Sequence, residues 1–355
     1  MNVLETQDLA IGYAASRRPR IVVAQGLNLR LEAGRLVCLL GANGVGKSTL
    51  MRTIAAVQKP LAGRVLLAGR DTARLKPRQL ASYLSVVLTE RPNIGLLNGY
   101  ALVALGRHPH TDWTGRLSRH DEAVIRWAVE AVGACDVAER PVMELSDGQR
   151  QKLMIARALA QEAPLILLDE PTAFLDLPRR AEIMRLLRHL ASQTGRAILL
   201  STHDLDLALR SADTLWLMAA GQVCVGAPED LVISRAFEDA FRSEGVVFDR
   251  TTGTFSVQAE RRGTAVVHGQ GIVHTWTRRA LQRSGFALLD EVEGPERHAP
   301  PLLHIRLHES AERVQWSVDW GGAEATCSSI GELLAALQQL HGARAARPDF
   351  EAAQA

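Results

Sequence analysis

The chain has 355 residues, 47% of them hydrophobic and 23% charged, with 41 basic against 39 acidic side chains and a formal net charge of +2. A single core organises roughly 100–200 residues, so this length suits about two. The near-balance of charge removes any broad electrostatic case for nucleic acid or an acidic membrane surface as partner. The four cysteines, Cys38, Cys135, Cys224 and Cys327, form no CxxC pair. They are expected to be buried thiols of a reducing compartment rather than a disulfide framework or zinc site. The N-terminus, MNVLETQDLA, has no basic region leading into an apolar one, and no run of about 18 apolar residues occurs. The expectation is a cytosolic chain whose membrane role runs through a partner.

Residues 2–40 carry short β-rich pieces, VLETQDL and LNLRLEAGRLVCLL, the second interrupted by Gly34 as a turn would be. GANGVGKSTLMRTIAAV then runs from a glycine-rich loop into a segment with Leu50, Ile54 and Val57 at helical spacing. A strand pair, GRVLLAGRD, follows a turn at Pro60 and Gly63. ALVALG, HDEAVIRWAVEAVGA and GQRQKLMIARALAQE repeat apolar residues three and four apart, so residues from about 90 to 160 read as a helical insertion. PLILLDEP suits a strand buried on both faces. RRAEIMRLLRHLASQTG is an amphipathic helix, RAILLSTHD a second buried strand and DLALRSAD another helix. Strands alternating with helices predict a mainly parallel sheet with right-handed crossovers.

From about residue 245 the pattern changes. TFSVQAE, GTAVVHGQG, LLHIRLHE and RVQWSVDWG alternate like strands with one exposed face, while WTRRALQRSG and SIGELLAALQQLHG read as helices. This predicts a first domain over 1–245, a boundary near 245–258, a small α+β accessory domain over 258–341 and a disordered tail at 342–355.

GANGVGKST, residues 41–49, fits the phosphate-binding pattern G-x-x-x-x-G-K-[ST] with an apolar strand before it and a helix after it. Gly41, Gly44 and Gly46 let the backbone curl so that N–H groups point at phosphate oxygens, helped by the helix dipole. Lys47 is expected to bridge the β- and γ-phosphates and Ser48 to ligate magnesium. LILLDEP, residues 165–171, ends a strand in Asp169, whose carboxylate belongs beside the metal, with Glu170 next to it to polarise the attacking water. His203 ends the next buried strand on the same sheet edge, where ligands of open α/β sheets sit.

These residues, with ELSDGQ between the two halves, resemble the ATP-binding cassette (ABC) family over roughly residues 2–240. GANGVGKST looks like its Walker A motif, LILLDEP its Walker B, LSDGQ its signature, FLD at 174–176 its D-loop and His203 its switch histidine. The resemblance implies an α/β P-loop NTPase fold: a RecA-like mixed sheet core plus helical subdomain, here with the C-terminal α+β domain added. It implies ATP and Mg2+ as ligands, with ATP contacts from Tyr13, Gly41, Asn43, Gly44, Gly46, Lys47, Ser48 and Thr49. Tyr13 sits where the family stacks an aromatic ring on adenine; the competing reading is a strand aromatic in the core. The resemblance further implies a head-to-tail dimer, in which Ser146, Gly148 and Gln149 contact the γ-phosphate held at the partner copy's Lys47. Glu170 would serve as base and His203 would hold the γ-phosphate.

Two positions depart from the family pattern. Asp147 replaces the glycine of LSGGQ; a carboxylate aimed at the γ-phosphate would oppose binding by about 4 kcal/mol at roughly 4 Å and an effective dielectric near 20. Its side chain is therefore expected to point away and to cap the helix GQRQKLMIARALA. The family's glutamine at the start of the helical insertion is also missing, and ungapped matching puts Thr89 there with Glu90 next. Thr89 and Glu90 are expected to substitute as magnesium ligands, with altered metal dependence.

GRHPHTDWTGRLSRHDEAV, residues 106–124, resembles the ATPases that power import of iron–siderophore complexes, haem and vitamin B12. That implies an importer ATPase on the cytoplasmic face of the inner membrane, partnered by a permease and, through it, a substrate-binding protein. His108 and His110 lack a third ligand and read as interface or surface residues. A soluble cassette acting on ribosomes or DNA is the alternative; such proteins carry tandem cassettes or a long coiled coil, and this chain has one Walker A and no sustained heptad run. A regulatory cassette that binds ATP without turnover is opposed by the intact Glu170 and His203. In the C-terminal region, His304 and His308 are expected to share one strand face with Arg306 between them.

Overall fold

The structure is a computed structural model that describes residues 1–15, 18–88, 97–242, 246–250, 253–257, 262–289, 302–310 and 313–345. Thr89 and Glu90 therefore lie outside the described residues. The chain divides into two compact units, one of Met1–Arg242 with Arg250–Thr254, the other of Ser243–Asp249 with Phe255–Ala355.

The first unit begins with β1 (Asn2–Ala15), β2 (Arg18–Leu27), β3 (Arg30–Glu32), β4 (Leu36–Leu40), α1 (Lys47–Ile54), β5 (Ala62–Leu67) and β6 (Arg70–Asp71). It continues through α2 (Pro77–Ala81), β7 (Leu84–Val87), α3 (Gly99–Ala104), α4 (Arg119–Ala131), α5 (Asp147–Ala160), β8 (Leu165–Asp169) and α6 (Leu177–Thr194). Then come β9 (Ala197–Ser201), α7 (Leu205–Ser211), β10 (Thr214–Ala219), β11 (Gln222–Gly226), α8 (Pro228–Ile233) and α9 (Ala236–Ala240).

Two sheets organise it. β2, β1, β5 and β6 form an antiparallel sheet in that order, with β3 also on β1. The second sheet runs β11-β10-β4-β9-β8-β7; β10, β4, β9, β8 and β7 are mutually parallel, and β11 closes one edge antiparallel. Every residue of β4 and β9 is buried, as expected for strands covered on both faces. An apolar cluster joins the two sheets, with Leu9, Leu31 and Val65 from one side and Leu39, Leu167 and Trp216 from the other.

Helices α3, α4 and α5 pack on one another as the predicted insertion. Gly106, just after α3, lies against α5 so closely that a Cβ there would stand 2.2 Å from the Arg157 carbonyl oxygen. The next residue, Arg107, is 2% exposed. Its Nε donates to Asp121 Oδ1 at 2.8 Å, and its Nη1 donates to the Ala160 carbonyl at 2.7 Å and to Glu162 Oε2 at 2.6 Å. One guanidinium thus ties α4 and the end of α5 to the turn after α3. Burial pushes the Asp121 carboxyl up, but hydrogen bonds from Ser118 and the Arg107 charge outweigh it and hold the group at about 2.

The second unit contains the two-stranded pair β12 (Val246–Asp249) and β13 (Thr254–Val257), whose first residue, Thr254, is assigned to the first unit, then β14 (Gly263–His268), α10 (Gly271–Arg283), β15 (Phe286–Leu289), β16 (Leu303–Glu309), β17 (Val314–Trp320), β18 (Ala323–Cys327) and α11 (Ile330–Ala345). Its five-stranded sheet runs β15-β14-β16-β17-β18. Ala265, Ile305, Val318 and Trp316 share a core with Leu281, Leu333 and Leu337 of α10 and α11. The helix α11 continues to Ala345, past the end expected at 341, because Ala and Arg are strong helix formers and one Gly costs only about 1 kcal/mol. The rest of the predicted tail, 346–355, lies outside the described residues.

Cys38 and Cys327 are buried as expected, but Cys135 and Cys224 are exposed. Cys224 sits on β11, the edge strand of its sheet, paired with β10 on one side. No helix among the described residues is long and apolar enough to cross a membrane.

Candidate nucleotide site

The C-terminal ends of β4, β8 and β9, neighbours in the parallel sheet, bring the predicted residues together. The loop after β4 curls through Gly41 (φ 153°), Gly44 (φ 77°) and Gly46 (φ 117°). A Cβ on Gly41 would meet the Met218 carbonyl oxygen at 2.4 Å, and one on Gly46 would meet Val23 Cγ1 at 2.3 Å. Gly41 thus excludes any side chain, and at Gly46 the strained φ and the Val23 and Met218 side chains oppose one. Gly46 caps α1 with no side-chain hydrogen bond, so the first N–H groups of that helix remain available to an anion.

Lys47 is buried against this loop, its Nζ donating to the carbonyls of Gly41 at 2.7 Å and Ala42 at 3.1 Å. Burial pushes its ammonium pKa down, while the Glu170 and Asp169 charges pull it back up. Ser48 and Asn43 are exposed at the same loop. Tyr13, half exposed near the end of β1, shares a 2.9 Å hydrogen bond with the Thr49 hydroxyl. That contact fixes its ring beside the helix start; it is not a core aromatic.

At the end of β8, Asp169 Oδ1 accepts from the Ser201 hydroxyl at 2.6 Å, and the Ser201 oxygen accepts from the Glu170 N–H at 3.0 Å. Glu170 adopts φ 49°, a conformation costly for a non-glycine residue and typical of functional sites. It turns the carboxylate toward the end of β9, where Glu170 Oε1 and His203 Nε2 stand 2.5 Å apart. Sequence reasoning missed Ser201, although it stands two residues before His203 in the segment LLSTHD; its hydroxyl orients both acidic residues.

The signature segment lies at the start of α5. Ser146 is the N-cap: its hydroxyl accepts from Gln149 N–H at 3.3 Å, and Gln149 Oε1 accepts from Ser146 N–H at 3.0 Å, a reciprocal capping box. Asp147 was expected to cap this helix and does not. It is the first helical residue, with Oδ1 3.9 Å from Arg150 Nη1. Ser146 takes the cap because its neighbouring Gln149 completes the box, leaving Asp147 to favour the helix dipole from the first turn. In the FLD segment Phe174 has φ 64°, and Asp176 caps α6 by accepting from Arg179 N–H at 3.0 Å.

Residues 24–173 match the ABC transporter family model, and an uncharacterized ABC transporter ATP-binding protein of Methanocaldococcus jannaschii is 42% identical over 257 residues, 72% of this chain and 87% of that protein. The chain belongs to the ABC transporter ATP-binding protein family. Like its family, the cassette is an ATPase. Residues 262–338 match a separate model described as the iron ABC transporter C-terminal domain. The iron(3+)-hydroxamate import ATP-binding protein of Bacillus subtilis is 38% identical, covering 63% of this chain and 81% of its own. Among solved structures, a cbiO1 cassette of Clostridium perfringens superposes with TM-score 0.58 at 27% identity, over 66% of this chain and 92% of that one. A dimeric cassette in a post-hydrolysis state with ADP and Pi bound gives TM-score 0.54 at 27% identity, over 63% of this chain and 98% of that one.

Proposed function

We propose that the chain is the ATP-hydrolysing subunit of an importer for an iron chelate, such as a siderophore or haem, or for cobalamin. It works at the cytoplasmic face of the inner membrane with a permease and, through it, a substrate-binding protein. The observation that carries this reading is the presence in one chain of an ABC cassette and a segment matching the iron ABC transporter C-terminal domain. Relatives named for import of iron–hydroxamate, petrobactin and cobalamin support it.

In this reading Lys47 exchanges the Gly41 and Ala42 carbonyls for β- and γ-phosphate oxygens. The phosphates sit on the uncapped N-terminus of α1, and adenine stacks on Tyr13. Ser48 and Asp169 supply the hard oxygen donors that Mg2+ takes. When bound, the ion would offset the negative charge that develops on the phosphate. Arrival of the γ-phosphate separates Glu170 from His203: His203 holds the phosphate, and Glu170 polarises the attacking water. A second copy of the chain, arranged head to tail, completes the site with Ser146 and the N–H groups of Gly148 and Gln149. Thr89 and Glu90 take the place of the family's glutamine near the metal.

The test is purification of the tagged chain from native membranes. A co-purifying permease whose loaded binding protein stimulates ATP hydrolysis supports the reading; co-purification with ribosomes overturns it.

A further inference from the structure

The N-termini of α5 and α6 carry the signature and FLD segments, and each is capped by the residue before it, Ser146 and Asp176. Lys152 lies six positions after the first cap and Glu182 six after the second, so each stands about 9 Å along its helix at 1.5 Å per residue. Lys152 Nζ and Glu182 Oε1 are 2.6 Å apart, and Glu182 Oε2 accepts from Arg179 Nη1 at 2.8 Å. The side chains of Lys152 and Glu182 are 19% and 28% exposed, so the pair is less screened than a fully exposed one. The same carboxylate thus receives one cation from α5 and one from α6.

A cavity of about 200 Å3 opens beside the triad, lined among others by Ser146, Gly148 and Gln149. α5 packs chiefly on α3, α4, β7 and the turn at Leu105–Arg107. Arg179 also runs alongside Gly148, where an added Cβ would stand 3.6 Å from its Cδ.

We propose that Lys152, Glu182 and Arg179 form a latch that keeps the signature in register with the FLD segment, so that both meet a partner copy's nucleotide together. These are positioning residues, and the inference rests on the two-copy reading above. Without the latch, the chain still binds ATP at Lys47, which the triad does not touch, but must order α5 against α6 when two copies close. The cost falls on assembly and not on the first binding step.

The experiment uses the full chain with Lys152→Met, Glu182→Gln and the double variant. It measures the affinity of a fluorescent ATP analogue, and the half-saturating ATP concentration and cooperativity of hydrolysis. The latch predicts analogue affinity within about twofold of the unsubstituted chain, half-saturating ATP raised about fivefold to tenfold in each single variant, and a double variant no worse than the worse single. Singles that hydrolyse like the unsubstituted chain overturn it, as does a double whose defect is the product of the two. Analogue affinity falling in parallel with activity also overturns it, because the triad would then support the pocket itself. An unsubstituted chain without cooperativity overturns the two-copy reading, and the latch with it.

Discussion

Glu170 and His203 meet at 2.5 Å across the ends of two adjacent parallel strands, although they lie 33 positions apart in the chain. The contact depends on the left-handed backbone at Glu170 and on Ser201, which holds both the Asp169 carboxylate and the Glu170 amide. If Glu170 is the base, Glu170→Gln should lower kcat by about 10²–10⁴-fold while ATP affinity persists. Steady-state hydrolysis beside equilibrium nucleotide binding checks this; a kcat within twofold of the unsubstituted chain would remove Glu170 from that role.

Asp147→Gly should leave ATPase activity within about twofold, since the carboxylate stands in the first turn of α5 near Arg150, where its helix-dipole interaction is worth about 0.3–1 kcal/mol. Ser146→Ala, by contrast, removes the cap and should cost about 1 kcal/mol of stability, and on the two-copy reading a phosphate contact as well. Thermal melts and hydrolysis rates on both variants separate the two positions.

Acid should loosen the helical insertion in a defined window. Asp121 has a folded pKa near 2, below its ordinary 3.8, so its contribution is complete above about pH 4 and disappears as pH falls from about 4 to 2. Arg107→Ala should cost about 3–5 kcal/mol by leaving a buried carboxylate without its cation, and should flatten that acid transition. Urea unfolding followed across pH 2–6 checks both statements.

Gly46→Ala should abolish nucleotide binding. A Cβ there would displace the side chains of Val23 and Met218, at 2.3 and 2.8 Å, and φ 117° is strained for any L residue, so the substitution favours a loop conformation other than the one that cradles the phosphates. Isothermal titration with ATP on the purified variant reads this directly.

Much of the cassette is legible in the residues because its motifs end elements with strong patterns. The apolar runs LVCLL and LILLD are strands buried on both faces, and glycine spacing alone marks the loop between β4 and α1. The antiparallel sheet is less legible: β2 begins in a Pro- and Arg-containing stretch without clean alternation, and its pairing with β1 passes through several register shifts. Ser201 carries no motif signal, since its role depends on a carboxylate brought beside it by the parallel register Asp169–Ser201. The cap at Ser146 was missed because Asp147 is an equally good capping type; only the partnership of Gln149 with the residue before Asp147 decides it. The expectation for the C-terminal histidines holds: His304, Arg306 and His308 share the face of β16 opposite the buried Leu303 and Ile305, with His304 Nδ1 3.3 Å from His268 Nε2 and His308 Nε2 2.9 Å from the Ser317 hydroxyl.

A nucleotide site completed by a second copy of the chain makes specific ATPase activity depend on protein concentration, and that dependence is the decisive measurement. Two half-sites predict activity per molecule that rises with concentration, a Hill coefficient for ATP near 2, and a Glu170→Gln variant that sediments as a dimer only with ATP. Constant specific activity, a Hill coefficient of about 1 and a monomer under all nucleotide conditions would contradict it.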